Sequence, residues 1–147
     1  MSKQIDLQTW LPYVRQAIAM KMPDLFNDVD EWGLAIFDDP HAHSLKGFLI
    51  PAPLCNIENQ RSLEEYLHTI APMGASLGAI AVRGRARSAA LPKPVDCVTW
   101  IVLTSDGLHG ETWFAIDDKP PSPNHYAISD PGTLQAWLID VLGRVVR

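Results

Sequence analysis

The stretch of sequence that decides the fold reads VDCVTWIVLTSDGLHGETWFAI and covers residues 95–116. Its first part, Val95 to Thr104, is rich in β-branched and aromatic residues and predicts a central β-strand. Asp106-Gly107 is a preferred residue pair of the two-residue type I′ turn. The apolar run from Leu108 to Ile116 therefore predicts the returning strand of an antiparallel hairpin.

The two faces of this hairpin differ in chemistry. With Asp106 and Gly107 as the turn, pairing counted outward sets Thr104 opposite His109, Val102 opposite Glu111 and Trp100 opposite Trp113. One face then holds both tryptophans with His109 and Glu111, and we expect it to be the outer, binding face, suited to a peptide, a base or a sugar. The other face is typical of a core, with Cys97, Thr99, Ile101, Leu103, Leu108, Thr112, Phe114 and Ile116. The alternative is that helices cover both faces and that the tryptophan pair is buried packing.

The flanking sequence predicts helices and further strands by its apolar periodicity. The first helix is expected over residues 9–21, with Thr9 as N-cap and Pro23 ending it. A second helix is expected to begin at Ser62, since Glu65 completes a capping box, and a third to run from Asp130-Pro131 to about Val146. Strands are expected over residues 32–37, 45–50, 77–87 and 126–128. This order predicts one α+β domain over residues 1–147, a twisted antiparallel sheet of five or six strands with helices mainly on one face.

Composition excludes several classes of protein. The chain has 147 residues, of which 47% are hydrophobic and 20% charged, as in ordinary globular domains. The formal net charge of −5 disfavours a basic body that wraps nucleic acid. Two cysteines make no disulfide framework, and no run of residues resembles a secretory signal or a membrane span, so a cytoplasmic location is expected. No glycine-rich dinucleotide motif occurs in the sequence, and we expect no cofactor.

Three arginines share one side of the predicted strand 77–87. Arg83, Arg85 and Arg87 alternate with small residues, which predicts a stripe able to bind an anion, an acidic partner or the chain's own acidic segment between Asp24 and Asp39. The last option implies an internal salt-bridge network or a homodimer. The alternative is an edge strand that charge protects against aggregation.

A His-x-His pair, His41 and His43, follows two aspartates and the turn residue Pro40. On a strand the two imidazoles would share a face and could bind a metal ion with a third ligand, for which the candidates are His109, Glu111, His125 and Asp130. A polar, solvated turn explains the same residues.

No set of residues in the sequence predicts a catalytic centre. Ser105, Asp106 and His109 are explained by the hairpin turn, and no serine lies in a nucleophile elbow. The sequence therefore favours a non-enzymatic protein-binding module of the chaperone, adaptor or immunity-protein kind, which contacts another protein or a second copy of itself. It would bind through Trp100, Trp113, Glu111 and His109, through Arg83, Arg85 and Arg87, or through both. The alternatives are a small metal-dependent hydrolase built on His41 and His43, and a binder of nucleotides or oligonucleotides.

Overall fold

The computed structural model describes residues 6–28, 33–86, 95–115, 121, 126–128 and 136–146. Its three helices are α1 (Leu7–Asp28), α2 (Gln60–Ile70) and α3 (Ala136–Val145). Its six strands are β1 (Gly33–Asp39), β2 (Ser44–Ile50), β3 (Leu77–Ala86), β4 (Val95–Thr104), β5 (Gly107–Phe114) and β6 (Tyr126–Ile128). Two short 3₁₀ turns, Ala52–Cys55 and Ile57–Asn59, precede α2. The predicted α+β class is confirmed.

The strands form one sheet in the order β2-β1-β3-β4-β5-β6. Every neighbouring pair is antiparallel, as the sequence predicted. β4 lies between β3 and β5, so the strand with the clearest sequence signal is an interior strand. β2 forms one edge of the sheet and pairs with β1.

Helices cover both faces of the sheet, so the expectation that they lie mainly on one face is wrong. α1 packs on one face through Leu7, Leu11, Val14, Ile18 and Met22. α2 and α3 pack on the other face through Leu63, Leu67, Leu138, Val141 and Leu142. The physical reason is that interior strands are apolar on both sides: in β1, Leu34 and Ile36 face α1 while Ala35 and Phe37 face α2 and α3.

Helix α1 differs from its prediction at both ends. Asp6, and not Thr9, caps it, because Asp6 accepts hydrogen bonds from the Gln8 N–H (3.0 Å) and the Thr9 hydroxyl (2.9 Å). The helix also continues through Pro23 to Asp28. Proline removes one backbone hydrogen bond, but the helix keeps its buried stripe as far as Met22.

The turn between β4 and β5 is displaced by one residue from its prediction. Thr104 pairs with Gly107, so the two loop residues are Ser105 and Asp106, and neither has the positive φ that a type I′ turn requires. The register shifts by two as a result: Trp100 lies opposite Glu111, Val102 opposite His109 and Val98 opposite Trp113. A shift of two leaves every side chain on its predicted face, because strand side chains alternate with period two.

The other helix boundaries also need correction. α2 begins at Gln60 after Asn59, and Ser62 lies inside the helix, so the predicted capping box does not form. The buried positions of α2 include Leu63 and Leu67, as predicted. The expected start of the last helix at Asp130-Pro131 lies outside the described residues.

Candidate functional site

The carboxylate of Glu111, on the face of β5 that α1 covers, is almost completely buried and has three partners. Trp113 Nε1 donates to Oε1 at 2.9 Å, and His109 Nε2 donates to Oε2 at 2.7 Å. Arg15 of α1 donates to Oε2 through Nε at 2.8 Å and through a second guanidinium nitrogen. Three of the predicted site residues, His109, Glu111 and Trp113, are therefore brought together, and Arg15 joins them from a helix 96 positions earlier in the sequence.

The charge state of Glu111 follows from these partners. Burial by itself raises the pKa of the carboxyl group, but hydrogen bonds from Arg15, Trp113 and His109, and the positive charge of Arg15, lower it below the ordinary value of 4.5. Glu111 is consequently ionised at neutral pH, and donors occupy both of its oxygens. This arrangement suits an internal ion pair that fixes α1 on the sheet better than it suits acid or base catalysis.

The two tryptophans lie beneath α1 and are fully buried, each 0% exposed. Their rings meet edge to face at 5.8 Å between centroids, and Trp100 lies 5.8 Å from the His109 ring. Within the described part of the chain, Trp100 Nε1 has no hydrogen-bond partner. The expectation that this face is the outer, binding face is wrong, because α1 covers it. The buried-packing alternative is the correct one.

The arginine stripe is described only in part. The Arg83 side chain is 15% exposed, and one of its guanidinium nitrogens lies 3.5 Å from Asp96 Oδ2 on the adjacent strand. β3 pairs with β4 along its whole length but with β1 only from Gly78 to Val82, so the part of β3 that carries Arg83 pairs with one described strand. The Arg85 side chain and all of Arg87 lie outside the described residues. The stripe therefore stays a prediction.

The histidine pair lies in the turn between β1 and β2 and not on a strand, so the two rings do not share a strand face. His41 and His43 are exposed, and His43 has a positive φ of 52°. The nearby Asp39 carboxylate accepts the His41 backbone N–H at 3.0 Å and lies 3.0 Å from Lys46 Nζ. Among the residues that the structure describes, no three His, Cys, Asp or Glu side chains lie close enough to hold a metal ion. His125 and Asp130, two of the predicted third ligands, are outside them.

The paired aspartates at the end of β1 are structural. Asp38 and Asp39 both belong to β1 and are buried. Asp38 Oδ1 accepts the backbone N–H groups of Ser76 and Leu77, each at 2.7 Å, and thereby fixes the start of β3.

A groove beside α1 is the site that the sequence reasoning missed. Its volume is about 670 Å³, and it lies between α1 and the start of β2. The helix contributes Trp10, Tyr13, Ala17 and Met20, with Thr9 and Gln16, and the sheet side contributes His43, Ser44 and Leu45. Tyr13 is 59% exposed and Met20 71% exposed, and the rings of Trp10 and Tyr13 are 5.9 Å apart. These residues, Trp10, Tyr13, Ala17 and Met20, are called the α1 stripe below.

Comparison of the chain with known proteins found no match. No family model matches it, and no curated protein and no solved structure is significantly similar to it.

The sequence did contain a signal for this groove. α1 carries two apolar series: Leu7, Leu11, Val14, Ile18 and Met22 are buried, and the α1 stripe follows on a separate side. A helix that packs against one core needs only one apolar series, so core packing does not explain the second series. Trp10 lies beside Leu11 in the sequence, so apolar periodicity alone does not separate the two series. Within the described residues, none of the helices is long and apolar enough to cross a membrane.

Proposed function

We propose that this chain is a non-enzymatic protein-binding module that works in the cytoplasm and contacts its partner through the groove between α1 and β2. The observation that carries the proposal is the α1 stripe, in which two large apolar side chains, Tyr13 and Met20, are mostly exposed along the same groove. An exposed apolar surface of this kind is characteristic of an interaction site.

The composition of the groove supports binding of a polypeptide. Its lining is mainly apolar and aromatic, and the polar side-chain groups among the lining residues are those of Thr9, Gln16, His43 and Ser44, the Tyr13 hydroxyl and the Trp10 indole N–H. Aromatic residues and methionine are enriched in the cores of protein interfaces, and charged residues are depleted there. No lining residue that the structure describes is a carboxylate, a lysine or an arginine.

The proposed contact surface is the groove and not the tryptophan face. Trp100, Trp113 and Glu111 then act indirectly: they hold α1, and α1 presents its stripe. The ion pair from Arg15 to Glu111 and the groove lie on different sides of α1, since Arg15 is not among the groove residues. A partner can therefore occupy the groove without breaking the ion pair.

The experiment is site-specific photocrosslinking in cells that make the protein. A photoreactive amino acid replaces Gln16, which is exposed and lines the groove, or, as a matched control, Thr69, which is exposed on α2. We expect a covalent adduct with another protein from position 16 and none from position 69. The same adduct should disappear when Tyr13→Lys is added in the same chain.

Other outcomes are equally informative. An adduct of two copies of this chain from position 16 identifies a homodimer as the partner state. Equal adducts from positions 16 and 69, or an adduct that survives Tyr13→Lys and Met20→Lys, would remove the groove as the contact surface.

A further inference from the structure

The two faces of the sheet carry unequal helix layers. Six strands spaced about 4.8 Å apart span roughly 24 Å, and a helix with its side chains is about 10 Å wide. Two helices therefore cover one face, as α2 and α3 do. On the opposite face, α1 alone covers the sheet among the residues that the structure describes.

Among the described residues, the uncovered part of this face lies along β2. Leu45 lines the groove, and Gly47 and Leu49 follow it on the same face, since they pair with Ile36 and Leu34 of the core beneath α1. Leu49 is 57% exposed. The other flank of α1 is occupied, because Arg15 reaches Glu111 on β5. The open space is thus on the β2 side, where the α1 stripe points.

The spacing of the α1 stripe indicates the shape of the occupant. Trp10, Tyr13, Ala17 and Met20 follow intervals of three, four and three residues. This is the a/d spacing of a helix that packs lengthwise against a second helix. Ala17, at the centre of the stripe, is small and allows the second helix to come close.

Charge indicates the chemistry of the occupant. The chain has a formal net charge of −5, and residues 24–31, which follow the stripe, contain four carboxylates and no lysine or arginine. Of the described basic residues on α1 and β2, Arg15 is paired with Glu111 and Lys46 with Asp39, and Lys21 is exposed. The net negative charge of the chain attracts basic partners and speeds their association.

We propose that the groove binds one amphipathic α-helix of a partner protein, with an apolar face against the α1 stripe and β2 and a basic polar face. This proposal rests on the protein-binding function proposed above and makes it specific. The bound helix would complete the second helix layer of the sheet, in the helix-in-groove mode of peptide recognition.

The test uses three displayed peptide libraries and the full chain as bait. The first encodes single helices with a randomised apolar face and lysine and arginine on the polar face. The second has the same design with glutamate and aspartate, and the third encodes extended strands of alternating polarity. We expect enrichment from the basic helix library, with binding that weakens as salt is raised.

Variants of exposed residues localise the binding. Tyr13→Lys and Met20→Lys should each weaken the binding of the enriched helices by about tenfold or more. Ile57→Lys is the matched control, because Ile57 and Tyr13 are both 59% exposed and both variants change the charge equally, but Ile57 precedes α2 and does not line the groove. Ile57→Lys should leave binding within about twofold.

Several results would overturn the proposal. These are no enrichment from either helix library, enrichment from the acidic library alone, or helices that bind Tyr13→Lys as well as the original chain. If strand peptides bind in place of helices and Tyr13→Lys abolishes their binding, the proposal of a helical occupant is overturned. The proposed protein-binding function then still stands. If no library yields a binder sensitive to Tyr13→Lys and the photocrosslink at position 16 is also absent, both proposals fail.

Discussion

Arg15 of α1 and Glu111 of β5 form an ion pair across the interface between helix and sheet, with Arg15 Nε 2.8 Å from Glu111 Oε2. The two ends differ in environment, since the Arg15 side chain is 34% exposed and the Glu111 side chain only 1%. Removal of Arg15 would therefore leave the buried charge of Glu111 without its ionic partner. It links α1 to the sheet, and α1 is the element that presents the groove.

Arg15→Ala should lower the free energy of unfolding by about 3 to 5 kcal/mol, because it leaves the Glu111 carboxylate buried with only Trp113 and His109 as partners. Urea unfolding followed by tryptophan fluorescence measures this loss. The control is Arg144→Ala, since Arg144 pairs with Glu64 at 3.0 Å while its own side chain is 60% exposed. An exposed pair of that kind contributes less than about 1 kcal/mol. Equal losses from the two variants would show that the Arg15–Glu111 pair has no special weight.

The stability of the protein should fall in acid partly through Glu111. Its pKa in the folded state lies below the ordinary 4.5, so the unfolded chain takes up the proton at a higher pH than the folded chain does. The ion pair therefore contributes its full stability above about pH 5, and this contribution is lost as the pH falls through the folded pKa. Asp6 and Asp39 also have lowered pKa values and act in the same direction.

Glu111→Gln isolates the part that belongs to Glu111. We expect the urea midpoint of the variant to be lower than that of the original chain at neutral pH and to fall less steeply between pH 5 and pH 3, since the amide does not titrate. Parallel pH profiles for the two proteins would contradict this assignment.

The hairpin turn between β4 and β5 should stabilise the first turn of α1. Asp106 Oδ2 accepts the backbone N–H of Leu7 at 2.9 Å, so a turn residue satisfies a helix amide 99 positions away. Asp106→Ala should cost about 1 kcal/mol, as loss of a helix cap does. Amide hydrogen exchange should be faster at Leu7 in this variant. Ser105→Ala, at the exposed neighbouring position of the same turn, should change neither quantity.

The same aspartate shows where sequence reasoning reached its limit. The hairpin and its two faces were predictable, because the side chains from Val95 to Phe114 alternate between the two faces with period two. The turn position was not, since Asp106 hydrogen-bonds to Leu7, a contact that depends on where α1 lies. The pair Asp106-Gly107 fitted a type I′ turn locally, but Gly107 became the first residue of β5.

The candidate site was harder to predict than the fold for a related reason. Trp100 and Glu111 read as a surface because polar and aromatic side chains share that face, and only the packing of α1 shows that the face is closed. The groove, in contrast, could have been predicted from the sequence. Its helix residues lie close together in the sequence, from Thr9 to Met20, and a second apolar series on one helix was a sufficient signal.

A glycine in β3 should be essential for the packing of α3. A Cβ atom on Gly78 would lie 2.5 Å from Val146 Cγ2, 2.8 Å from Leu142 Cδ1 and 3.1 Å from Phe37 Cε1. Gly78→Ala therefore forces the end of α3 away from the sheet and should cost about 1 to 3 kcal/mol. Urea unfolding gives this value, and Gly47→Ala on the edge strand is the control, since its Cβ would meet neighbours at 3.7 Å or more.

A double variant separates this clash from an effect of alanine on the backbone. Val146→Ala removes the methyl group nearest to the new Cβ, so Gly78→Ala should cost less in the Val146→Ala background than in the original chain. Additive losses from the two substitutions would show that the cost does not come from contact with α3. A Gly47→Ala chain as unstable as Gly78→Ala would point to β-strand backbone effects instead of packing.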